Sequence, residues 1–266
     1  MSTLYVFGDS FTQGHHNLET YPAYDEFKKL RGGKLFDLWS QILANKLGFD
    51  LKNYGNAGAS NDDIFSFICD NIIRVKSGDI VIINWTFITR FRWVDSDGKW
   101  RTIHGGPDYS ISESTRKETL INKFNSKWES IIYQYENIID VLSKSVGFNV
   151  YYWSAENNLI YNSPNKNLKK YIISELINPG ETLFHEIFRR GGKTIEEESN
   201  YTIGDIHLGE SGHKIQGNLF FNYISGIDES KVDYVNLDEM KTINHINPHL
   251  EPNSDPVRIH KKELYK

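Results

Sequence analysis

Thr3-Leu-Tyr-Val-Phe-Gly-Asp-Ser-Phe-Thr-Gln-Gly14 is the stretch from which the rest of the chain can be read. Leu4 to Phe7 is a short, uninterrupted apolar run, the pattern of a strand buried on both faces. Gly8 breaks it, and Asp9 and Ser10 follow where a helix would begin. A serine on such a strand-to-helix turn has its hydroxyl exposed above the sheet. Its own N–H lies where a helix start favours negative charge. Ser10 is therefore the candidate nucleophile, although a serine there can also simply cap a helix. A nucleophile needs a base, an acid to orient that base, donors for an oxyanion, and a pocket.

Working outward, the same alternation recurs. Residues 14–34 are polar and turn-rich and read as a loop over the site. Phe36 to Leu47 has helical spacing (Leu38, Ile42, Leu43, Leu47), with Gly48 as a stop. Leu51 to Tyr54 is a short strand that runs into the glycine-rich loop Gly55 to Asn61. Asp62 or Asp63 opens a helix through Ile73. Asp79 to Asn84 is the clearest strand, continuously apolar and β-branched. Phe91 to Arg101 predicts a β-hairpin turning at Asp95 to Gly98. A long helical pattern runs from about Ser114 to Lys144 and ends at Gly147. Asn149 to Ser154 is a further strand, Leu168 to Ile177 a short helix, and residues 189–204 a glycine- and charge-rich loop. A last helix follows His213 and reaches about Ile224. Alternating strands and helices predict the α/β class, with a central parallel sheet and helices on both faces. Ligands in such sheets bind at the C-terminal strand ends. Ser10, the Gly55–Asn61 loop and the Trp85–Arg90 turn all follow strands and can share one rim.

Composition sets outer limits. A chain of 266 residues, 39% hydrophobic and 24% charged, can build a packed core. A net charge of −5 without a long basic run argues against nucleic acid as a partner. No apolar run approaches the roughly 20 residues of a membrane span. The chain enters a strand at once, so no signal peptide is expected. With the single Cys69 suiting a reducing compartment, this places the protein in the cytoplasm or in an assembled particle. Cys69 itself sits in a helical pattern and reads as core. Aromatic residues make up 14% of the chain, which fits either a large aromatic core or a sugar-facing surface. Trp93 and Trp100 on the hairpin read either as a sugar platform at the rim or as a pair packed against each other. No histidine cluster, including His15-His16, has the spacing of a metal site, so no metal and no cofactor are expected. From Gly226 periodicity fades, and Pro248, Pro252 and Pro256 punctuate a tail with a basic end. This divides the chain into a domain over 1–225 and a C-terminal extension over 226–266, a candidate surface for a protein partner.

Gly8-Asp9-Ser10, the downstream glycine loop and the late Asp205-Ile206-His207 resemble the blocks of the SGNH, or GDSL, hydrolase family. The resemblance covers roughly residues 3–225 by order of blocks. It implies a three-layer α/β/α sandwich, flavodoxin-like, with a central parallel sheet, and ester hydrolysis by a serine. Carried over block by block, it makes Ser10 the nucleophile and His207 the general acid and base. Asp205 becomes the acid that orients His207. Gly58, with Gly55 as competitor, would give an oxyanion N–H beside that of Ser10. The third block departs from the family's Gly-x-Asn-Asp: this chain has Asn84-Trp85-Thr86-Phe87. Either Asn84 or Thr86 could supply the remaining donor. The last block is spaced Asp-x-His where the family more often has Asp-x-x-His. His213 reads as the opening of the final helix. Trp85 and Arg90 are candidates to touch substrate, Arg90 through an anionic group or else as an ion-paired residue. The expected reaction is hydrolysis of a small acyl ester, acetyl on a carbohydrate or other small molecule. A lipid esterase or thioesterase is the near alternative, and a catalytically weak or inactive scaffold acting as a binding or structural component of a larger assembly is the rival from another class.

Overall fold

The computed structural model describes residues 2–14, 28–29, 32–86, 90–94, 98, 100–104, 130–154 and 208–227. Two compact units divide the chain, one made of Met1–Gln13 with Gly48–Ile173, the other of Gly14–Leu47 with Ser174–Lys266.

In the first unit, β1 (Thr3–Gly8) runs straight into a single helical turn, α1 (Ser10–Gln13). The strand β2 (Asp50–Gly55) is followed by α3 (Asn61–Asn71), then β3 (Ile80–Trp85) and the hairpin strands β4 (Arg90–Val94) and β5 (Trp100–His104). A helix over 130–146, here α4, leads into β6 (Asn149–Ser154). The label α2 belongs to Trp39–Leu47, which lies in the second unit. The four long strands form one parallel sheet in the order β2-β1-β3-β6, and the hairpin is a separate antiparallel pair. β1 is thus an inner strand, bonded on one side to β2 from Thr3↔Asp50 to Gly8↔Gly55 and on the other to β3 from Leu4↔Ile80 to Phe7↔Ile83. This is the α/β class that the alternation of elements calls for, and it is consistent with a three-layer α/β/α sandwich.

Side chains alternate along these strands, so each strand serves two faces. Tyr5, Phe7, Val81, Ile83 and Tyr152 share one face, in one buried cluster with Ile64 and Ile68 of α3 and Ile132 and Ile139 of α4. Leu4, Val6, Ile80 and Ile82, on the opposite face, are buried as well. Burial on both faces is why Leu4–Phe7 of β1 and Ile80–Ile83 of β3 are apolar throughout and could be read directly from the sequence.

Element ends depart from the sequence reading where capping decides them. α3 starts at Asn61 because Ser60 and Asp63 form a reciprocal capping box. It closes through a tighter turn at Ile72–Arg74. The hairpin is longer than Phe91 to Arg101, since its register pairs Arg90 with His104. Cys69 corrects the expectation of a core position. The buried stripe of α3 is Ile64 and Ile68, so the next residue falls on the exposed side. The predicted helix over Leu168 to Ile177, the loops over 189–204 and most of 14–34, and the 114–129 part of the long helix lie outside the described residues.

The second unit contains α2 and a last helix, α5 (Glu210–Ile224). α2 begins at Trp39 and not at Phe36. The Trp39 N–H, one of the orphan donors of a first turn, is accepted by His213 Nδ1 at 3.2 Å. Trp39 and Phe220 meet edge to face, and Gly217 lets the two helices approach: a Cβ there would come within 3.0 Å of the Trp39 carbonyl and within 2.9 Å of Ile42.

Candidate functional site

The site begins at the C-terminal end of β1. Gly8 ends the strand, Asp9 turns the chain, and Ser10 opens α1. Gly8 has no room for a side chain, since a Cβ would sit 2.8 Å from the Asn84 Cβ and against the Thr12 hydroxyl. Asp9 caps the turn twice over. Its carbonyl accepts the Thr12 and Gln13 N–H groups at 3.0 and 2.9 Å, and its carboxylate accepts the Phe11 N–H at 3.0 Å.

That carboxylate is the hub of the region. It is 0% exposed and has four donors. Oδ1 takes the Phe11 N–H and the Asn84 Nδ2 at 3.0 Å. Oδ2 takes the Thr86 hydroxyl at 2.6 Å and one Arg90 guanidinium nitrogen at 3.0 Å. The same Arg90 nitrogen donates to Thr86 Oγ1 at 2.9 Å. An arginine can only donate and a carboxylate only accept, so the Thr86 hydroxyl must receive from Arg90 and give to Asp9.

The loop after β2 is stitched to this turn. The Asn56 N–H donates to the Gly8 carbonyl at 2.9 Å, and the Ala57 N–H donates to Gln13 Oε1. The Asn53 amide donates to the Thr12 carbonyl at 2.8 Å. Gly55 lies against the Gln13 backbone so closely that a Cβ would fall on it. Gly58 has φ +79, a conformation that glycine adopts without strain. Among the described residues its N–H has no acceptor. A half-buried N–H held in this loop can receive an anionic oxygen.

The residues singled out from the sequence therefore divide. Ser10, Gly58, Asn84, Thr86 and Arg90 are brought into one neighbourhood by the ends of β1, β2 and β3. Ser10 is 5% exposed. Asn84 and Thr86 are fully buried, and the amide nitrogen and the hydroxyl donate to Asp9; the amide also donates to Thr12 Oγ1 at 3.3 Å. Arg90 is ion-paired, one of the two roles open to it. Trp85 faces the core, where its indole N–H donates to Glu136 Oε1 at 3.0 Å. Asp205 and His207 lie outside the described residues. His213 is buried in the first turn of α5, and its Nδ1 accepts the Trp39 N–H, so a neutral ring holds its proton on Nε2. Trp93 and Trp100 are not cross-strand partners, since Trp93 is opposite Arg101 and Trp100 opposite Val94.

Sequence reasoning passed over Asn61. Its amide donates to the Thr86 carbonyl at 3.1 Å and accepts the Thr86 N–H at 2.8 Å. This pair imitates a strand partner and fixes the exit of β3. The available signal was an Asn directly after the Ser60 cap, but nothing local indicates a partner 25 positions away. Among the described residues no group of His, Cys, Asp and Glu could hold a metal ion, and no helix is long and apolar enough to cross a membrane.

No family model matches the chain, and no curated protein matches it. Among solved structures it is similar to a protein of the G-D-S-L family, classed as lipolytic, from Desulfitobacterium hafniense DCB-2. That likeness covers 84% of this chain and 99% of the other, at 15% identity and a TM-score of 0.31. So loose a superposition supports no step of the chemistry.

Proposed function

We propose that this chain is a serine hydrolase of carboxylic esters with Ser10 as its nucleophile. The observation that carries the reading is the Gly8-Asp9-Ser10 turn. It sits at the C-terminal end of an inner strand of a parallel sheet and is held rigid by the donors on Asp9, beside a loop in which the Gly58 N–H has no acceptor among the described residues. Rigid placement of a nucleophile next to an oxyanion donor is what acyl transfer requires.

In this reading His207 takes the Ser10 proton as Oγ attacks the acyl carbonyl, and Asp205 orients the ring and stabilises the imidazolium. The oxyanion is received by the backbone N–H groups of Gly58 and Ser10. Asn84 and Thr86 are assigned no part in the hole, because the hydrogen-bonding groups they offered face Asp9. His207 returns the proton to the leaving alcohol, and water then releases the acyl group by the same steps in reverse order. An oxyanion hole without its side-chain donor is slower by on the order of a hundredfold or more. The substrate is read as a small acyl ester, acetyl on a carbohydrate, with lipid esters and thioesters as alternatives. Residues 226–266 are assigned to a partner.

The buried Ser10 and the engagement of Asn84 and Thr86 also favour a second reading, a catalytically weak or inactive scaffold with a binding or structural role. Hydrolysis of p-nitrophenyl acetate by the parent and by Ser10→Ala separates the two. The parent should exceed Ser10→Ala by at least a hundredfold, and a fluorophosphonate should label Ser10. Equal background rates with no label leave the scaffold reading standing. Acetate release from an acetylated glycan should exceed fatty-acid release from a lipid ester, and the reverse order sinks the carbohydrate assignment.

A further inference from the structure

The hairpin that follows β3 is fastened to the rim of the sheet by two arginines on one of its faces. Arg90 and Arg92 are two residues apart on β4, so their side chains leave the strand on the same side. Arg90 pairs with Asp9 at the junction of β1 and α1. Arg92 pairs through Nε with Asp63 Oδ1 at 2.8 Å, in the first turn of α3 after β2. Each arginine thus reaches a carboxylate at a different strand-to-helix junction. The two contacts are not equivalent. Asp63 is also a member of the α3 capping box, and its partner Arg92 is the more exposed of the two arginines, at 30%. Asp9 is sealed from water, and Arg90, at 18% exposed, is its cationic partner.

We propose that Arg90 is a positioning residue for the Ser10 nucleophile, acting through the Asp9 carboxylate. This rests on the reading of Ser10 as a nucleophile. A buried carboxylate keeps its place only while its oxygens are satisfied. The Phe11 N–H and Asn84 come from the turn itself and from β3, and they hold Oδ1. Oδ2 depends on Thr86 and Arg90, and Arg90 also fixes the rotor of the Thr86 hydroxyl. Without Arg90 the Thr86 oxygen loses the donor that orients it, and the carboxylate loses its charge partner. Asp9 then shifts, and with it the backbone that presents Ser10. The substrate anion site that an arginine after β3 first suggests is thereby replaced by an internal role.

The test uses the full chain and two independent readouts. Hydrogen exchange of the Phe11, Thr12 and Gln13 amides reports on the turn, whatever the chemistry. Kinetics with p-nitrophenyl acetate report on the nucleophile. Arg90→Gln should speed exchange of those three amides at least tenfold and lower kcat at least tenfold, with KM within twofold. Arg90→Lys should recover most of kcat, since an ammonium can still donate to both oxygens. Arg92→Gln, which cuts the other tether, should leave exchange at Phe11 to Gln13 and kcat at parental values. Thr86→Val takes away one donor on Oδ2 together with Arg90's second acceptor, and it gives the same reading if Arg90→Gln does not fold. The proposal is overturned if these substitutions leave exchange of the turn within twofold of the parent, or if Arg92→Gln disturbs it as much as Arg90→Gln does. A parent that neither hydrolyses ester nor takes the fluorophosphonate ends the esterase reading instead, and the exchange data still decide the role of Arg90.

Discussion

Asp9 shows at the scale of one residue how heavily the fold braces the Gly8-Asp9-Ser10 turn. A carboxylate with no exposed surface would ordinarily be expelled or neutralised, yet this one has four donors arranged two to each oxygen. Its removal leaves the Asn84 amide nitrogen and the Thr86 hydroxyl buried with fewer acceptors, and takes one carboxylate from Arg90. Each buried donor left unsatisfied costs about 1–3 kcal/mol, so Asp9→Ala should lose about 3–5 kcal/mol. That is a large part of the stability of an ordinary domain, about 5–15 kcal/mol. Asp9→Asn has nearly the same shape and should not rescue the loss. One of its two acceptors becomes an NH2 that faces donors. Urea unfolding of the two variants measures this, and an Asp9→Asn midpoint equal to that of the parent would show that the hydrogen bonds on Asp9 matter less than its shape. The sequence placed Asp9 only as the middle of a tripeptide. Its three side-chain partners lie 75 to 81 positions away, and no local pattern signals such pairings.

At the scale of elements much more was legible. β6 runs from Asn149 to Ser154 as the sequence reading had it, and β3 is displaced by one residue from the Asp79 to Asn84 reading. Both follow from apolar runs that burial on two faces demands. Less legible was how elements lock together, because the locking groups are polar residues inside otherwise apolar faces. Tyr152 of β6 is one such group. Its hydroxyl donates to Asp140 Oδ1 at 2.9 Å and contacts the Glu136 carbonyl at 3.3 Å, tying the strand to α4. Burial pushes the phenol well above its ordinary value of 10.0, and the negative charge of Asp140 pushes it further in the same direction. Burial, with a hydrogen bond to Asp62, raises Tyr135 as well. A phenol whose pKa is higher folded than unfolded favours the folded state fully below the unfolded value. That contribution fades as pH climbs toward the folded one. Stability should therefore be insensitive to Tyr152 up to about pH 10 and then fall by up to about 1.4 kcal/mol per pH unit. Tyr152→Phe should cost about 1 kcal/mol at neutral pH for the lost hydrogen bond and show a shallower alkaline limb. Urea midpoints taken from pH 7 to pH 11 test both halves, and parallel alkaline limbs for parent and variant would exclude Tyr152 as the source.

At the scale of the whole chain the open question is where its folded part ends. The loss of periodicity after Gly226 suggested a boundary there, and α5 stops at that point for a local reason. Gly226 has φ +67. Its N–H donates to the Tyr223 carbonyl at 3.2 Å, and the Ile227 N–H donates to the Asn222 carbonyl at 2.9 Å. These are the paired bonds of a Schellman motif, which satisfy the last carbonyls of a helix from within the chain. Two of the helix's last carbonyls are thus satisfied by residues up to Ile227. The side of the helix that matters for packing also lies upstream, with Phe220 against Trp39, Gly217 against Ile42 and the His213 acceptor for the first turn of α2. A chain cut after Ile227 keeps these contacts and the helix stop. It should unfold in urea at the midpoint of the full chain and hydrolyse p-nitrophenyl acetate at the same kcat, and any interaction with a partner should be lost. Gly226→Val in the full chain provides the contrast. It forces a β-branched residue into a left-handed conformation and should cost about 1–2 kcal/mol of stability, read as an earlier urea midpoint. A truncated chain that unfolds well before the full one would place residues 228–266 in the core and move the boundary past the helix stop.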